Sequence, residues 1–140
     1  MLNQSIRDLM EQKKFLTAVP ATTVSTAARQ MAEKNVGAVM VVENGNLVGI
    51  FTERDAVFRV LAPGRDPDAT RLTDVMTPEP KTLSPDTTYG HALILMQENG
   101  FRHVPVVEDG RPVGIVSSRN ALDPDLEEFI SEQRRREYLR

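Results

Sequence analysis

Two heptapeptides of the chain carry the residue types of a ligand site. Gly49-Ile50-Phe51-Thr52-Glu53-Arg54-Asp55 is answered, at an offset of 65 residues, by Gly114-Ile115-Val116-Ser117-Ser118-Arg119-Asn120. Each runs glycine, two apolar residues, a hydroxyl, two further residues and a short carboxylate or amide. Glycine near the end of a strand lets another group approach the backbone, or lets the chain turn. A hydroxyl where strand gives way to helix stands beside free N–H groups and a positive dipole end, which attract phosphate. A carboxylate such as Asp55 can accept hydrogen bonds from the two vicinal hydroxyls of a ribose. The same spacing, Thr52-x-x-Asp55, also fits a capping box, in which hydroxyl and carboxylate bond the helix's own amides. Both readings are open at this level.

Ahead of each heptapeptide the copies differ. The second has Phe101-Arg102-His103-Val104-Pro105 where the first has Val36-Gly37-Ala38-Val39-Met40. Arginine binds phosphate through its planar fork, and His103 adds a possible donor. Solvated residues flanking an edge strand would read the same way. Pro105 lacks a backbone donor, so its strand is expected to be an edge or locally irregular there.

These stretches sit inside a longer repeat. Residues 17–57 align without a gap on residues 82–122, matching Pro20 with Pro85, Met31 with Met96 and Val41-Val42-Glu43 with Val106-Val107-Glu108. A shorter echo precedes each copy, Asp8-Leu9-Met10 and Asp74-Val75-Met76, shifted by one residue. Self-similarity of this length decides the architecture, and two copies point to a pseudo-twofold pair.

The elements follow from the pattern. Thr22 or Thr23 caps a helix with Val24, Ala27, Ala28, Met31 and Ala32 on one face, and Tyr89, Ala92, Leu93 and Met96 repeat it before the stop at Asn99-Gly100. Next comes a hairpin through Asn44-Gly45 or Asp109-Gly110, dipeptides suited to a turn with positive φ. A second helix starts at the heptapeptide, with Ala56, Val57, Val60 and Leu61 apolar, and a short strand is expected near Thr17 or Thr82. The fold class is α/β (α+β): two β-α-β-β-α units that share a core. Residues 1–62 hold the first repeat with the N-terminal segment, 63–70 a linker, 71–122 the second repeat and 123–140 a helical tail. In the tail, Asp123 caps, Pro124 takes the first turn, and Leu126, Phe129 and Ile130 form a stripe.

Composition narrows the functions. With 140 residues, 40% hydrophobic and 26% charged, the chain has ordinary globular make-up. It contains no cysteine, which removes thiol nucleophiles, disulfides and cysteine-ligated zinc. A net charge of −3 gives no general attraction to nucleic acid or anionic membranes. Neither a secretory signal nor a membrane-length apolar run is read, so a cytoplasmic protein without membrane insertion is expected. His91 and His103, the two histidines, fall in no nucleophile or metal motif, so no catalytic residue and no metal ligand is assigned.

The ordered set of motifs resembles a tandem pair of CBS domains, the module named after cystathionine β-synthase, over nearly all of residues 5–122. The family's nucleotide motif is glycine, two apolar residues, Thr or Ser, two residues, then Asp or Asn; both heptapeptides fit it, and Arg102-His103-Val104-Pro105-Val106 resembles the family's strand before the hairpin. The resemblance implies no catalytic cofactor but an adenosine ligand: AMP, ADP, ATP, NAD or S-adenosylmethionine. It implies that Asp55 and Asn120 bond ribose and that Thr52 and Ser117 face phosphate. Backbone near Ala38 and His103 would read adenine, and Arg54, Arg102 and Arg119 would supply phosphate charge, with Gly37, Gly49, Pro105 and Gly114 also counted among the binding residues. It further implies two clefts per chain, homodimerisation of pairs into a disc, and a separate effector protein.

Because Asn120 lacks the charge of Asp55 and the first copy lacks an Arg102-His103 equivalent, unequal sites are expected, the Asp55 site gripping ribose better. The alternatives are a ligand-independent dimerisation scaffold, an enzyme, and a nucleic-acid binder acting through Arg134-Arg135-Arg136. That run also suits a solvated helix end complementing the helix dipole.

Overall fold

The computed structural model describes residues 2–10, 15–118 and 132–136. The first repeat contains β1 (Thr17–Ala18), α2 (Val24–Lys34), β2 (Ala38–Glu43), β3 (Asn46–Thr52) and α3 (Glu53–Asp55), which continues as a π-helix over Ala56–Leu61. The second contains α5 (Tyr89–Asn99), β5 (His103–Glu108) and β6 (Arg111–Ser117). A short helix precedes each, α1 (Ile6–Met10) and α4 (Leu72–Val75), the latter followed by β4 (Thr77–Pro78).

The long helices begin and end as their residues dictate. The Thr23 side chain accepts from Thr26 N–H at 3.2 Å, and Thr88 accepts from His91 N–H at 3.4 Å. Asn35 and Gly100 close them in the left-handed region, satisfying the last carbonyls. Val24, Ala27 and Met31 are buried from α2, as are Tyr89, Ala92 and Met96 from α5. Each hairpin turns through two residues of positive φ, Asn44-Gly45 and Asp109-Gly110, as a tight turn with the right twist requires.

The second helix departs from its expected face. Ala56 and Val60 face inward, but Val57 and Leu61 are 49% and 67% exposed, and Phe58 beside them is 61% exposed. The cause is the wider winding: Ala62 N–H bonds Val57 O and Arg65 N–H bonds Val60 O, i→i+5 spacing that narrows the inward row.

Among the described residues the repeats differ at the strand ahead of the long helix. In the first, Met40 N–H donates to Leu16 O at 2.9 Å, and β1 runs parallel to β2 in a sheet ordered β1-β2-β3-β4. Pro105 stands at Met40's place and has no N–H to give. The strand expected near Thr82 is accordingly reduced to a bridge between Leu83 and Val106, and β5 and β6 form a two-stranded sheet among the described residues.

The segments ahead of the repeats are exchanged. Leu72 N–H bonds Thr22 O and Val24 N–H bonds Thr70 O, so α4 latches the first repeat's helix; Ile6 N–H bonds Thr87 O and Tyr89 N–H bonds Gln4 O, so α1 latches the second's. Buried apolar residues accordingly make two clusters. One joins Val24, Ala27, Met31, Val39, Val41 and Phe51 to Leu72 and Val75. The other joins Tyr89, Ala92, Met96, Val104 and Val106 to Ile6. In place of the single shared core that was expected there are two, each completed by a segment from ahead of the other repeat. The opposite face of the first hairpin is also buried, through Met40 and Ile50, and β3 touches both β5 and β6. Leu47 N–H donates to Gly110 O at 3.0 Å and ties the two turns.

Asp123, Pro124 and the Leu126, Phe129 and Ile130 stripe lie outside the described residues. Arg134, Arg135 and Arg136 are helical and exposed. Among the described residues no helix is long and apolar enough to cross a membrane.

Candidate functional site

Thr52 ends β3 and caps α3, and the capping box is formed. Thr52 N–H donates to Asp55 Oδ2 at 2.9 Å, and Asp55 N–H donates to Thr52 Oγ1 at 3.3 Å. The Thr52 hydroxyl also reaches Asp55 Oδ2 at 3.2 Å. The second carboxylate oxygen, Oδ1, faces Arg59 Nε at 3.5 Å. Asp55 is therefore buried, at 8% exposure, with polar partners on both oxygens.

A carboxylate offers about four acceptor positions. Thr52 N–H and Thr52 Oγ1–H take the two on Oδ2, while Arg59 stands against Oδ1 as an ion pair without a hydrogen bond. A vicinal pair that bonds both oxygens displaces Thr52 Oγ1–H from Oδ2 and Arg59 from Oδ1.

The two repeats meet at Gly37. A Cβ there would lie 2.8 Å from Glu53 Oε1 and 3.2 Å from His103 Nε2, so a carboxylate from one repeat and an imidazole from the other converge on it. Matching backbone bonds hold the two mouths, Glu53 N–H to Gly37 O and Ser118 N–H to Arg102 O, both at 3.0 Å. Ala38 is buried where β2 begins, His103 is half-buried where β5 begins, and Arg102 is exposed beside it. Pro105 is fully buried. Gly114 is buried opposite Val106, and Ser117 is half-buried, its carbonyl accepting from the Tyr89 hydroxyl at 3.2 Å.

Other expected site residues turn elsewhere. The Arg54 guanidinium lies 4.7 Å from the centroid of the Phe58 ring on the exposed side of its helix. The close approach at Gly49 is made by the chain itself, since any side chain there would run into Met76 Sδ. Arg119 and Asn120 lie outside the described residues.

Two hollows flank the first repeat's helices. One of about 300 Å³ is bounded by Asn35, Gly37, Phe51, Glu53 and Ala56. A shallower groove of about 430 Å³ runs past Val24, Ala28, Val60, Leu61 and Asp68. Neither is lined by Thr52 or Asp55.

Glu53, Arg59 and Met76 were not among the expected site residues. Arg59 stands four residues after Asp55, a spacing that pairs opposite charges on a helix and so marks it in the sequence. Glu53 lies inside the heptapeptide without a periodic signal. Met76 is marked only by the echo ahead of the second repeat.

Comparison with known proteins matches the family described as CBS domain to residues 6–62 and 72–125. "CBS domain-containing protein CBSX3, mitochondrial" of Arabidopsis thaliana is 34% identical over 142 aligned positions, covering 94% of this chain and 69% of that protein. The crystal structure of an uncharacterized conserved protein from Pyrococcus horikoshii superposes with a TM-score of 0.81 at 33% identity, covering 89% of this chain and 94% of that one. The CBS domain pair of protein MJ0100, in complex with 5′-methylthioadenosine and S-adenosyl-L-methionine, superposes with a TM-score of 0.76 at 29% identity over 86% of this chain and 98% of that one.

Proposed function

The chain belongs to the CBS-domain family, and from that premise we propose that it is a regulatory module that binds an adenosine nucleotide between its repeats and signals to a separate protein. The observation that supports this most is Asp55. It is a buried carboxylate at a helix start, next to a hydroxyl and with Oδ1 held by an ion pair rather than by hydrogen bonds, in a heptapeptide that fits the family's nucleotide motif. The adenosine compounds bound to MJ0100 point to the same ligand class.

In this reading the two ribose hydroxyls bond Asp55, one at Oδ1 in place of Arg59 and one at Oδ2 in place of the Thr52 hydroxyl. Thr52 Oγ1–H is then free to turn to phosphate, while backbone at Gly37 and Ala38 borders the base. Asn120 and Ser117 play the same parts in the second cleft, with Arg102, Arg119 and His103 supplying charge and donors to phosphate. Signalling requires that ligand bind one arrangement of the repeats better than another. AMP, ADP, ATP and NAD share the ribose that Asp55 would grip and differ in phosphate. Val57, Phe58 and Leu61 on one repeat and Ile94 on the other are large exposed apolar residues, which supports a homodimer of pairs. We assign no catalytic role.

The test is the melting temperature of the purified protein against AMP, ADP, ATP, NAD, S-adenosylmethionine and GTP, with Asp55→Ala alongside. Ligand at ~100 times its dissociation constant adds about 2.7 kcal/mol, a shift of several degrees for a domain of this size. An adenosine-selective shift lost in the variant supports the reading; no shift with any ligand sinks it.

A second reading is favoured by the closed capping box. If Asp55 serves only its own helix, the module is a ligand-independent dimerisation scaffold. Unchanged melting with every nucleotide, together with a dimer that Phe58→Glu or Leu61→Glu splits, would establish that.

A further inference from the structure

The Asp55 carboxylate is wired to a part of the chain that lies outside its own hairpin and helix. Arg59 places Nε 3.5 Å from Asp55 Oδ1, and its terminal nitrogen Nη1 donates to the carbonyls of Val75 and Met76, both at 3.1 Å. Val75 is the last residue of α4 and Met76 its C-cap, where carbonyls have no partner within the helix. The next residues, Thr77 and Pro78, pair with Ile50 and Gly49 on β3. One guanidinium thus holds the site carboxylate with one edge and the end of the segment leading into the second repeat with the other. The position 65 residues on, which would repeat Arg59 in the second copy, is Pro124, so the second copy has no arginine at that position.

We propose that Arg59 is a positioning residue that couples Asp55 to residues 72–78, so that occupancy of the Asp55 cleft is transmitted to the segment entering the second repeat. The ligand half rests on the nucleotide reading above. A vicinal diol on Asp55 needs Oδ1 as well as Oδ2, and Arg59 stands against Oδ1 as its ion-pair partner. A ligand that draws Oδ1 away from Arg59 changes the grip on Val75 and Met76. A planar fork can bridge two groups at once, whereas a lysine offers a single point charge.

Amide hydrogen exchange over 72–78 tests this in the full chain, without ligand and with AMP. Without ligand, Arg59→Gln and Asp55→Ala each speed exchange over 72–78 by about fivefold or more. Thr52→Ala, which breaks the capping box but leaves the Asp55–Arg59 pair, leaves those amides near the wild-type rate. Should Arg59→Gln fold poorly, Arg59→Lys keeps the charge and should keep the melting temperature while losing the coupling. With AMP, exchange over 72–78 changes in the wild type and not in Arg59→Lys, although both protect 52–55. Wild-type exchange over 72–78 in Asp55→Ala overturns the coupling whatever AMP does. An AMP response that is equal in Arg59→Lys, or absent from 72–78 while 52–55 is protected, overturns its transmission by Arg59. AMP that protects nothing overturns the nucleotide reading and the ligand half with it, and the ligand-free arm alone then decides the coupling.

Discussion

Gly37 of the first repeat and His103 of the second lie in contact range: a methyl group on Gly37 would stand 3.2 Å from His103 Nε2 and 2.8 Å from Glu53 Oε1. Both obstructing atoms end flexible side chains, so Gly37→Ala displaces them without moving backbone. We expect it to cost under about 1 kcal/mol of stability. Nucleotide affinity should nevertheless fall about tenfold, because the same substitution crowds the mouth where β2 begins and alters the Glu53–His103 arrangement. Melting curves and calorimetric titration of the variant separate the two effects.

Asp55→Asn keeps the size and one acceptor but removes the charge. A hydrogen bond to a charged group contributes about 1.5–3 kcal/mol, so the affinity for AMP should drop by about tenfold to a hundredfold, read by calorimetry. Folding stability should fall by about 1 kcal/mol, because the Asp55 carboxylate also completes the cap on Thr52. Unchanged affinity would remove Asp55 from the ligand site.

Gly49→Ala should cost about 1–3 kcal/mol in denaturant unfolding, the usual range for an overpacked site, since Met76 lies against the Gly49 backbone. Trimming Met76 makes room for the added methyl. The double variant Gly49→Ala/Met76→Ala should therefore be more stable than the sum of the two single losses predicts. Additive losses would mean that Met76 is not what keeps position 49 small.

Ile6→Ala should cost about 2–5 kcal/mol, as expected for a fully buried aliphatic residue. The exchange of segments says where the damage appears. Amides around Tyr89 and Ala92 should lose protection before those of α2, because Ile6 packs in the second cluster. Leu72→Ala should show the mirror image, with α2 affected first. Loss in the same repeat as the substituted segment would contradict the exchange.

Much of this architecture could be read from residues close together in the chain. The threonine caps, the Asn44-Gly45 and Asp109-Gly110 turns and the helix stop at Gly100 need only a few neighbouring residues, and the structure has each where expected. Pro105 also kept its promise, since the missing N–H removes the bond that holds β1 to Met40 in the first copy. The apolar row of the second helix was misjudged at Val57 and Leu61 because an α-helical period was assumed where the chain winds as a π-helix.

Relations between distant residues were another matter. The repeat shows two equivalent units, but its periodicity is the same whether α1 latches its own repeat or the other one. Only packing selects the exchange, through Ile6 against Tyr89 and Leu72 against Phe51. The Thr52-x-x-Asp55 spacing fits a cap and a ligand grip equally. Folding closed the cap because the donors lie three residues away, and it brought Arg59 against Val75 and Met76 across 16 and 17 residues. A glycine at position 49 announces a close approach but not by what; the answer, Met76, comes from β4 pairing beside β3. Local hydrogen-bond geometry is written in neighbouring residue types, whereas side chains from distant segments meet only once the whole fold has chosen which faces to bury.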